Sequence, residues 1–342
     1  MRAAVFKGVE DIQVEDVPAP EVEADAVVVK VSACGICGSD LHSYLHGAFV
    51  APGQVMGHEF VGEVVEVGGD VRGLAVGDRV TASPIVPCME CARCQEGRYN
   101  LCAVCWSTAI AYGRPGGFAE LVQIPTAVVG ANVFPLGTEV SDEAGALVEP
   151  LAVAVHAVRL VEPVEGKTVL VLGLGTIGLQ VVQVLRARGA GRVIGIDLSA
   201  TRVEAASALG AEALDGSDGT AAVLADALGE DGEIDLVFEC SGASAAAEAA
   251  LESVRAGGTI VVLALYDDPI TLDPTALVQR EIRLQGSIAY TSDDFAEAVR
   301  LLSSGEAQAG PLITHRKPLD SIGDAFTVQL QKDESIKVLV EP

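Results

Sequence analysis

Short runs of alternating apolar and polar residues, separated by glycine and proline, occupy the first part of the chain. Ala3–Val5, Ile12–Val17 and Val27–Val31 have this pattern, and Phe60–Gly68 repeats it. A period of two in β-branched segments predicts short strands with one buried face. Several such strands with glycine at their turns favour a β-rich unit built as a partly open barrel.

After residue 165 the pattern changes to continuous apolar runs that alternate with helical spacing. Buried strands are predicted at Lys167–Leu172, Ile234–Cys240 and Thr259–Leu263, and a last sheet strand at Glu281–Ser287. Helices are predicted between these strands, at Ala200–Leu209, Ala221–Leu228 and Ala243–Val254. The alternation predicts a doubly wound parallel sheet, which places the chain in the α/β class.

The last part of the chain returns to shorter elements. A helix is predicted at Asp293–Ser303, and short strands at Leu312–Thr314 and Ile336–Val340. We therefore expect the tail to rejoin the N-terminal β-rich unit.

One apolar segment ahead of the parallel sheet carries a charge. Ala144–Leu160 has helical spacing, follows a capping residue at Ser141, and contains Glu149 followed by Pro150. A carboxylate buried there without a partner would be costly, so Glu149 requires a cation, a metal ion or solvent.

Length and charge limit the classes of partner. A chain of 342 residues, 50% of them apolar, exceeds the size at which one core usually divides, so two domains are expected. With 48 acidic against 22 basic residues, the formal net charge of −26 opposes binding to nucleic acid or to an anionic membrane. Because no apolar stretch is typical of a signal peptide or a membrane span, we expect a soluble cytoplasmic protein.

Four of the eight cysteines are concentrated in one short segment. Cys88, Cys91 and Cys94 are separated by two residues each, and Cys102 follows across a loop. Four thiolates at this spacing can close a tetrahedron, as structural Zn²⁺ requires. An iron–sulfur cluster is the alternative, but the ferredoxin pattern places its fourth cysteine three residues on and before proline, whereas Cys102 comes later and precedes Ala103.

A second set of metal-binding residue types lies between Cys34 and Glu59. Cys37, His58 and Glu59 offer a thiolate, an imidazole and a carboxylate, the ligands that Zn²⁺ prefers. So few protein ligands leave a position open for water or substrate, as in catalytic sites. Any one of the three alone is more often an ordinary structural residue, so the prediction of a catalytic zinc rests on their combination.

A glycine-rich turn follows the first buried strand of the predicted parallel sheet and opens a helix. Its residues are Gly173, Leu174, Gly175, Thr176, Ile177 and Gly178. In this context Gly173 permits a tight turn, Gly175 lets backbone amides approach a pyrophosphate, and Gly178 permits close packing of helix on strand. The turn predicts a dinucleotide site.

The next strand ends in Asp197, at the distance where a carboxylate accepts the ribose 2′-hydroxyl and repels a 2′-phosphate. This favours NAD over NADP, with a helix N-cap as the alternative role. Arg202 weakens the discrimination, because an arginine can accommodate the phosphate.

In combination, these motifs resemble the zinc-dependent medium-chain dehydrogenase/reductase family over essentially the whole chain. The segments that carry the resemblance are Cys34–His42, Gly57–Glu59, the four-cysteine lobe, Glu149–Ala152 and the glycine-rich turn. Two further segments, Ile288–Thr291 and Leu312–Arg316, look most like the polyol and secondary-alcohol branch, which includes sorbitol, threonine and butanediol dehydrogenases.

The resemblance implies a role for each matching ligand. Cys37 and His58 would bind the catalytic zinc. In the yeast and liver type of alcohol dehydrogenase the third ligand is a cysteine aligned near Glu149, and this chain departs from that pattern. In the polyol branch a glutamate serves instead, which would be Glu59 or Glu149, with ligation that varies with the state of the site.

The resemblance also implies a proton relay at Ser39 and His42, with hydride transfer to the nicotinamide, whereas His46 would be neither ligand nor relay. A zinc-bound alcohol has a lowered pKa, so its proton can leave near neutral pH. Side chains in segments that could line the substrate pocket are Tyr44, Leu45, Phe49, Ile85 and Trp106.

The expected architecture is a GroES-like catalytic domain, residues 1–149 and 289–342 with a structural-zinc lobe at about 86–105, and a Rossmann domain at 150–288. The implied activity is NAD-dependent oxidation of a secondary alcohol, diol or polyol, or the reverse reduction of a ketone. Family analogy suggests a homo-oligomer, a dimer or a tetramer. The alternatives are a zinc-independent reductase of the same superfamily and a non-catalytic nucleotide-sensing or zinc-storage protein.

Overall fold

The computed structural model describes residues 1–229 and 232–342. The elements before the parallel sheet are β1 (Arg2–Gly8), β2 (Asp11–Asp16), β3 (Val27–Gly35), α1 (Gly38–His46), β4 (Glu59–Val67), β5 (Arg79–Ala82), α2 (Ala92–Gln95), α3 (Cys105–Thr108), β6 (Leu121–Ile124), β7 (Val133–Pro135), α4 (Asp142–Ala146) and α5 (Val148–Arg159). The middle elements are β8 (Thr168–Leu172), α6 (Thr176–Ala187), β9 (Arg192–Asp197), α7 (Ala200–Ala208), β10 (Glu212–Asp215), α8 (Thr220–Leu228), β11 (Ile234–Glu239), α9 (Ser244–Ser253), β12 (Val254–Val262), α10 (Pro274–Gln279) and β13 (Arg283–Gly286). The tail contains α11 (Ser292–Ser304), β14 (Ile313–Pro318), α12 (Ile322–Leu330) and β15 (Lys337–Glu341).

The middle strands form a parallel sheet in the order β10-β9-β8-β11-β12-β13. The chain starts at the centre and reaches each edge in turn, so the predicted doubly wound sheet is confirmed. Leu172 at the end of β8 lies opposite Ile196 of β9 and Glu239 of β11, which aligns the carboxyl ends of these strands. Ligands of such sheets bind beyond that edge, where the direction of winding reverses.

The other large sheet, mostly antiparallel, has the order β14-β15-β3-β4-β5-β7, with β6 also paired to β3. Its central strand, β3, pairs with β4 along most of its length and ends at Gly35, just before α1. The tail strand β15 pairs with the same end of β3, where Leu339 lies opposite Gly35. A strand from the N-terminal part of the chain and the last strand therefore pair beside the segment that contains Cys37.

Two features of the helices differ from the pattern-based predictions. The segment Ala144–Leu160 forms two helices that meet at Leu147, because Pro150 has no N–H to donate to the carbonyl of Ala146 and a single helix would lose that bond. The second is that some helices were not predicted, among them α10 after β12 and α12 in the part of the tail where only short strands were predicted. Helix α12 is nine residues long, and its start carries a signal in the sequence, Ser321 with Asp324 three residues on, although Ser321 makes no side-chain cap bond in the structure.

One of the buried clusters of apolar side chains spans both large sheets. It includes Val61 of β4, Leu151 of α5, Val169 of β8 and Phe295 of α11. Among the described residues, no helix has both the length and the apolar character that crossing a membrane requires.

Candidate active site

Three metal-binding side chains converge where β3, α1 and β4 meet. Cys37 is the N-cap of α1, Glu59 is the first residue of β4, and His58 immediately precedes that strand. One ligand atom of each lies within 4.8 Å of the other two. Gly57, with a φ of 91°, makes this approach possible, since a Cβ there would lie 2.7 Å from the Phe118 ring. The donor set of thiolate, imidazole and carboxylate fits Zn²⁺.

Asp40, which sequence analysis missed, lies directly beside this cluster and is buried. Its Oδ2 accepts a hydrogen bond of 2.9 Å from the backbone N–H of Cys37, and its Oδ1 lies 3.8 Å from Nδ1 of His58. That imidazole nitrogen is buried and has no hydrogen-bond partner among the described residues. At 3.8 Å the carboxylate lies beyond hydrogen-bond distance, so Asp40 faces the imidazole of His58 as a nearby negative charge. The available signal was an acidic residue three positions after the N-cap, as in a capping box.

Glu59 has a second partner that the sequence did not indicate. Lys337 donates from Nζ to both carboxylate oxygens of Glu59, at 2.6 and 2.8 Å, and to the carbonyl of Ile36 at 2.8 Å. Both side chains are buried. Glu59 is therefore paired with a cation while it faces Cys37 and His58.

Glu149, the other expected third ligand, lies in the first turn of α5 and is buried. Its Oε1 accepts a hydrogen bond of 2.8 Å from the Tyr290 hydroxyl. Burial, reinforced by the charge of Glu59, raises the pKa of Glu149 to about 7. Its hydrogen-bond partner among the described residues is thus a tyrosine of the tail, a neutral donor that the prediction of a cation, a metal ion or solvent did not include.

The two residues expected to carry the proton lie on α1. Ser39 and His42 are three residues apart and so share one face of the helix. Oγ of Ser39 lies 2.9 Å from the hydroxyl of Tyr112, whose ring stands 5.5 Å from that of His58. Nδ1 of His42 lies 3.0 Å from Oδ1 of Asp267, in the loop after β12. Neither Tyr112 nor Asp267 was found by sequence reasoning, because neither belongs to a local motif.

A cavity of about 260 Å³ opens beside this cluster and is lined by Phe49, Trp106, Ser107 and Tyr112. Phe49 and Trp106 are among the side chains expected there. Ile85 is instead buried in the core, and Tyr44 packs on Phe326 with 5.0 Å between ring centres.

The glycine-rich turn has the geometry that its pattern predicts. Gly173 has a φ of 86°, and a Cβ at Gly178 would clash with the carbonyl oxygen of Gly173, so helix and strand pack closely. Gly175 is the N-cap of α6, ahead of Thr176 and Ile177. Apart from the adjoining residues, the nearest described atom to a Cβ built on Gly175 is Nη1 of Arg202 at 3.9 Å, which leaves open space at the helix N-terminus for a phosphate group.

Asp197 ends β9 beside this turn. Its Oδ2 accepts from the N–H of Leu174 at 2.7 Å and its Oδ1 from the N–H of Ser199 at 2.9 Å. The N-cap of α7 is Ser199, so the alternative of Asp197 as a helix N-cap is wrong. Nη1 of Arg202 lies 3.7 Å from Oδ2 of Asp197.

The tail segment Ser335–Lys337 connects the glycine-rich turn to the Cys37 cluster. The carbonyl of Ser335 accepts from Arg202 at 3.3 Å, and that of Ile336 from the Thr176 hydroxyl at 3.0 Å. The next residue, Lys337, binds Glu59. This short segment therefore contacts both the glycine-rich turn and the cluster of Cys37, His58 and Glu59, and it fixes the position of one relative to the other.

The four cysteines of the lobe also converge. The ligand atoms of Cys88, Cys91, Cys94 and Cys102 all lie within 4.8 Å of one another. Sγ of Cys94 lies 3.9 Å from that of Cys88 and 3.6 Å from that of Cys91. Four thiolates around Zn²⁺ at about 2.3 Å stand about 3.8 Å apart, so the lobe fits zinc with no open position. All eight cysteines lie in the described ranges and are free thiols, with Cys34 and Cys105 fully buried.

Comparison with known proteins agrees with this architecture. Residues 23–133 match the alcohol dehydrogenase GroES-like domain, and residues 176–304 match the zinc-binding dehydrogenase family. These matches confirm the predicted fold class, a GroES-like β-rich unit with a Rossmann-type parallel sheet.

Individual relatives align over nearly their full length. The chain is 34% identical to sorbitol dehydrogenase of Bacillus subtilis, covering 100% of this chain and 97% of that protein. It is 36% identical to (R,R)-butanediol dehydrogenase of the same organism, covering 100% of both. A Sinorhizobium meliloti protein described as a zinc-binding dehydrogenase, solved bound to NADP, superimposes with a TM-score of 0.90 at 36% identity, covering 100% of this chain and 99% of that one.

Proposed function

Because this chain belongs to the zinc-dependent medium-chain dehydrogenase/reductase family, we propose that it is an oxidoreductase that transfers a hydride between a secondary alcohol, diol or polyol and NAD. The reverse reaction reduces the matching ketone. The observation that carries the proposal is the convergence of Cys37, His58 and Glu59 beside an open cavity. Relatives named for sorbitol and butanediol support the substrate class.

We propose that Cys37 and His58 hold the catalytic zinc, with Glu59 or Glu149 as the third ligand. When bound, Zn²⁺ lowers the pKa of a coordinated hydroxyl, and NAD accepts the hydride. When Glu59 is not bound to the metal, Lys337 neutralises its charge, and the Tyr290 hydroxyl donates a hydrogen bond to Glu149. The two carboxylates thus have protein partners of their own, which suits an exchange of ligands.

The proton of the alcohol leaves through side chains of α1. Ser39 lies at the metal end of the helix, where Tyr112 orients its hydroxyl. His42 lies one turn further on and its side chain is 24% exposed, so it exchanges protons with solvent. The transfer needs both residues on the same face of α1.

The glycine-rich turn and Asp197 support NAD as the cofactor. Gly173, Gly175, Thr176, Ile177 and Gly178 form the pyrophosphate cradle. Asp197 keeps lone pairs free for a ribose hydroxyl and would repel a 2′-phosphate. Arg202 lies close enough to Asp197 to contact the adenosine part of the cofactor. Because one relative was solved bound to NADP, the preference of this protein for NAD over NADP is to be measured.

Apolar lining of the cavity favours short alcohols and diols. Three of its four lining residues, Phe49, Trp106 and Tyr112, are aromatic, and most hydroxyls of a long polyol would lack partners there. We therefore expect a higher kcat/KM for 2,3-butanediol than for sorbitol.

Other features of the protein complete the proposal. The four-cysteine lobe holds a structural zinc, and the domain bounds are 1–149 with 289–342 for the catalytic domain and 150–288 for the Rossmann domain. Free thiols and zinc-type cysteine spacing suit the cytoplasm. The edge strand β13 and its surroundings expose Val278, Leu284 and Ile288, which suits pairing with a second copy into a dimer or tetramer.

The test is turnover on a panel of secondary alcohols, diols and polyols with NAD, followed by NADH absorbance, together with the zinc content. We expect turnover and two zinc ions per chain. An active protein with zinc in the lobe alone would favour the zinc-independent reductase. A folded, zinc-loaded protein without turnover on any substrate would favour the nucleotide-sensing or zinc-storage alternative. Light scattering checks the oligomer, with Leu284→Glu expected to give a smaller species.

A further inference from the structure

A third group of metal-binding side chains lies at the far end of α1. His42 and His46 are four residues apart and so project from one face of the helix. Oδ1 of Asp267 lies 3.0 Å from Nδ1 of His42 and 3.5 Å from Nε2 of His46. One ligand atom of each residue lies within 4.8 Å of the other two. The group brings together the antiparallel-sheet unit and a loop of the parallel-sheet unit.

Neighbouring contacts hold the Asp267 side of this group in place. The hydroxyl of Tyr266, the preceding residue, donates to Oε2 of Glu239 at 2.6 Å. Glu239 is buried, and its other oxygen accepts from the backbone N–H groups of Ser241 and Gly242. Through Tyr266, the residue before Asp267, the loop is thus bound to Glu239 at the end of β11.

The His46 side of the group favours a cation. His46 lies in the last turn of α1, where the helix dipole is negative. The side chains of His46 and Asp267 are 52% and 62% exposed, so an ion reaches them from solvent. The net charge of −26 raises the cation concentration near the surface.

We propose that His42, His46 and Asp267 form a further metal site that takes Zn²⁺ or a similar divalent transition-metal ion. Two imidazoles and one carboxylate are a Zn²⁺ donor set, and bonds of about 2.0–2.1 Å place tetrahedral ligands about 3.4 Å apart, close to the observed separations. An ion bound there joins α1 to the loop after β12 and occupies the nitrogen through which His42 faces Asp267. Metal binding therefore inhibits turnover by removing His42 from proton transfer. This inhibition rests on the proposed function, whereas the metal site itself does not.

The experiment uses the full chain, isolated with its resident zinc and dialysed until the zinc content is constant. Calorimetric titration with Zn²⁺ near pH 7.5, where free imidazole is neutral, counts further ions bound. We expect one further equivalent per chain, which excess Mg²⁺ does not displace because Mg²⁺ prefers oxygen ligands. His46→Ala and Asp267→Asn should weaken that binding by about tenfold or more, since even partners behind the ligands contribute about that much.

Asp268→Asn is the matched control, because it removes the same charge from the adjacent exposed residue. It should bind the further ion within about twofold of the unmodified protein, as expected for a screened surface charge. No further equivalent, unchanged binding by His46→Ala, or equal losses in Asp267→Asn and Asp268→Asn would each overturn the site. In parallel, added Zn²⁺ should inhibit the unmodified enzyme and spare His46→Ala. If no alcohol is oxidised, the proposed function fails while the titration still decides the metal site.

Discussion

Nζ of Lys337 lies 2.6 Å from Oε2 and 2.8 Å from Oε1 of Glu59, although the two residues are 278 positions apart. Both are almost fully buried, at 2% and 1% exposure, and the third N–H of the ammonium group binds the carbonyl of Ile36. The pair joins the last strand of the chain to the metal-binding end of β4. It makes the position of Glu59 dependent on the tail.

Replacing Lys337 by Met should therefore destabilise the protein. Glu59 would remain buried without a cation, and removal of one partner of a buried ion pair costs about 3–5 kcal/mol. We expect a loss of that size in the free energy of unfolding by urea. Adding Glu59→Gln to Lys337→Met should recover part of it, because no uncompensated charge then remains.

Lys332→Met is the matched control, since Lys332 is exposed in the same tail. It should change the free energy of unfolding by less than about 0.5 kcal/mol. A Lys337→Met protein as stable as this control would contradict the role given to the pair.

Cys37→Ser should remove the catalytic zinc and leave the fold. The hydroxyl is a poor substitute for a thiolate ligand, so we expect one zinc ion per chain in place of two and a loss of NADH formation of at least about 100-fold. Zinc analysis, activity and circular dichroism measure the three quantities. Cys34→Ala is the control: Cys34 is buried in the core, and this variant should keep both zinc ions and lose only about 1 kcal/mol of stability. Two zinc ions in Cys37→Ser would argue against Cys37 as a ligand.

Asp197→Asn should shift cofactor preference toward NADP. The neutral amide keeps one oxygen to accept from the N–H groups of Leu174 and Ser199 and no longer repels a 2′-phosphate, and a charged hydrogen bond to the ribose of about 1.5–3 kcal/mol is weakened. The ratio of kcat/KM for NAD to that for NADP should fall by about tenfold or more. Arg202→Ala should move the ratio in the opposite direction. A preference of the unmodified enzyme for NADP would contradict the role of Asp197.

Asp294 should contribute pH-dependent stability at the contact of α11 with α5. Burial raises its pKa, but hydrogen bonds from His156 and Thr291 outweigh burial and hold the pKa below its usual value. Arg159 lies 2.6 Å from the other oxygen. Because the folded-state pKa is depressed, the stabilisation is complete above the unfolded pKa of about 3.9 and is lost as pH falls through the folded value.

The variant Asp294→Asn tests this contribution. Its free energy of unfolding should be about 2–3 kcal/mol lower than that of the unmodified protein at pH 7, with a difference that shrinks below about pH 4. Urea unfolding at several pH values measures it. Asp293→Asn, a change at the exposed neighbour, should behave as the unmodified protein does. A difference that stayed constant with pH would show that charge on Asp294 is not its source.

Local patterns explain why much of the fold was predictable. The buried runs that became β8, β11 and β12 are continuous in the sequence, so the doubly wound sheet followed from their alternation with helices. The helix break at Leu147 was missed because its cause, the missing N–H of Pro150, competes with an uninterrupted apolar pattern.

The sequence by itself determined the sites whose geometry is local: Cys88, Cys91 and Cys94 with Cys102, and the turn from Gly173 to Gly178. Within such short spans the backbone allows few conformations, so residue type and spacing nearly specify the arrangement of donors. Only the tertiary structure decided which groups face Glu59, Glu149 and His42. Their partners Lys337, Tyr290 and Asp267 come from distant parts of the chain, and no local pattern records which side chains packing will bring together.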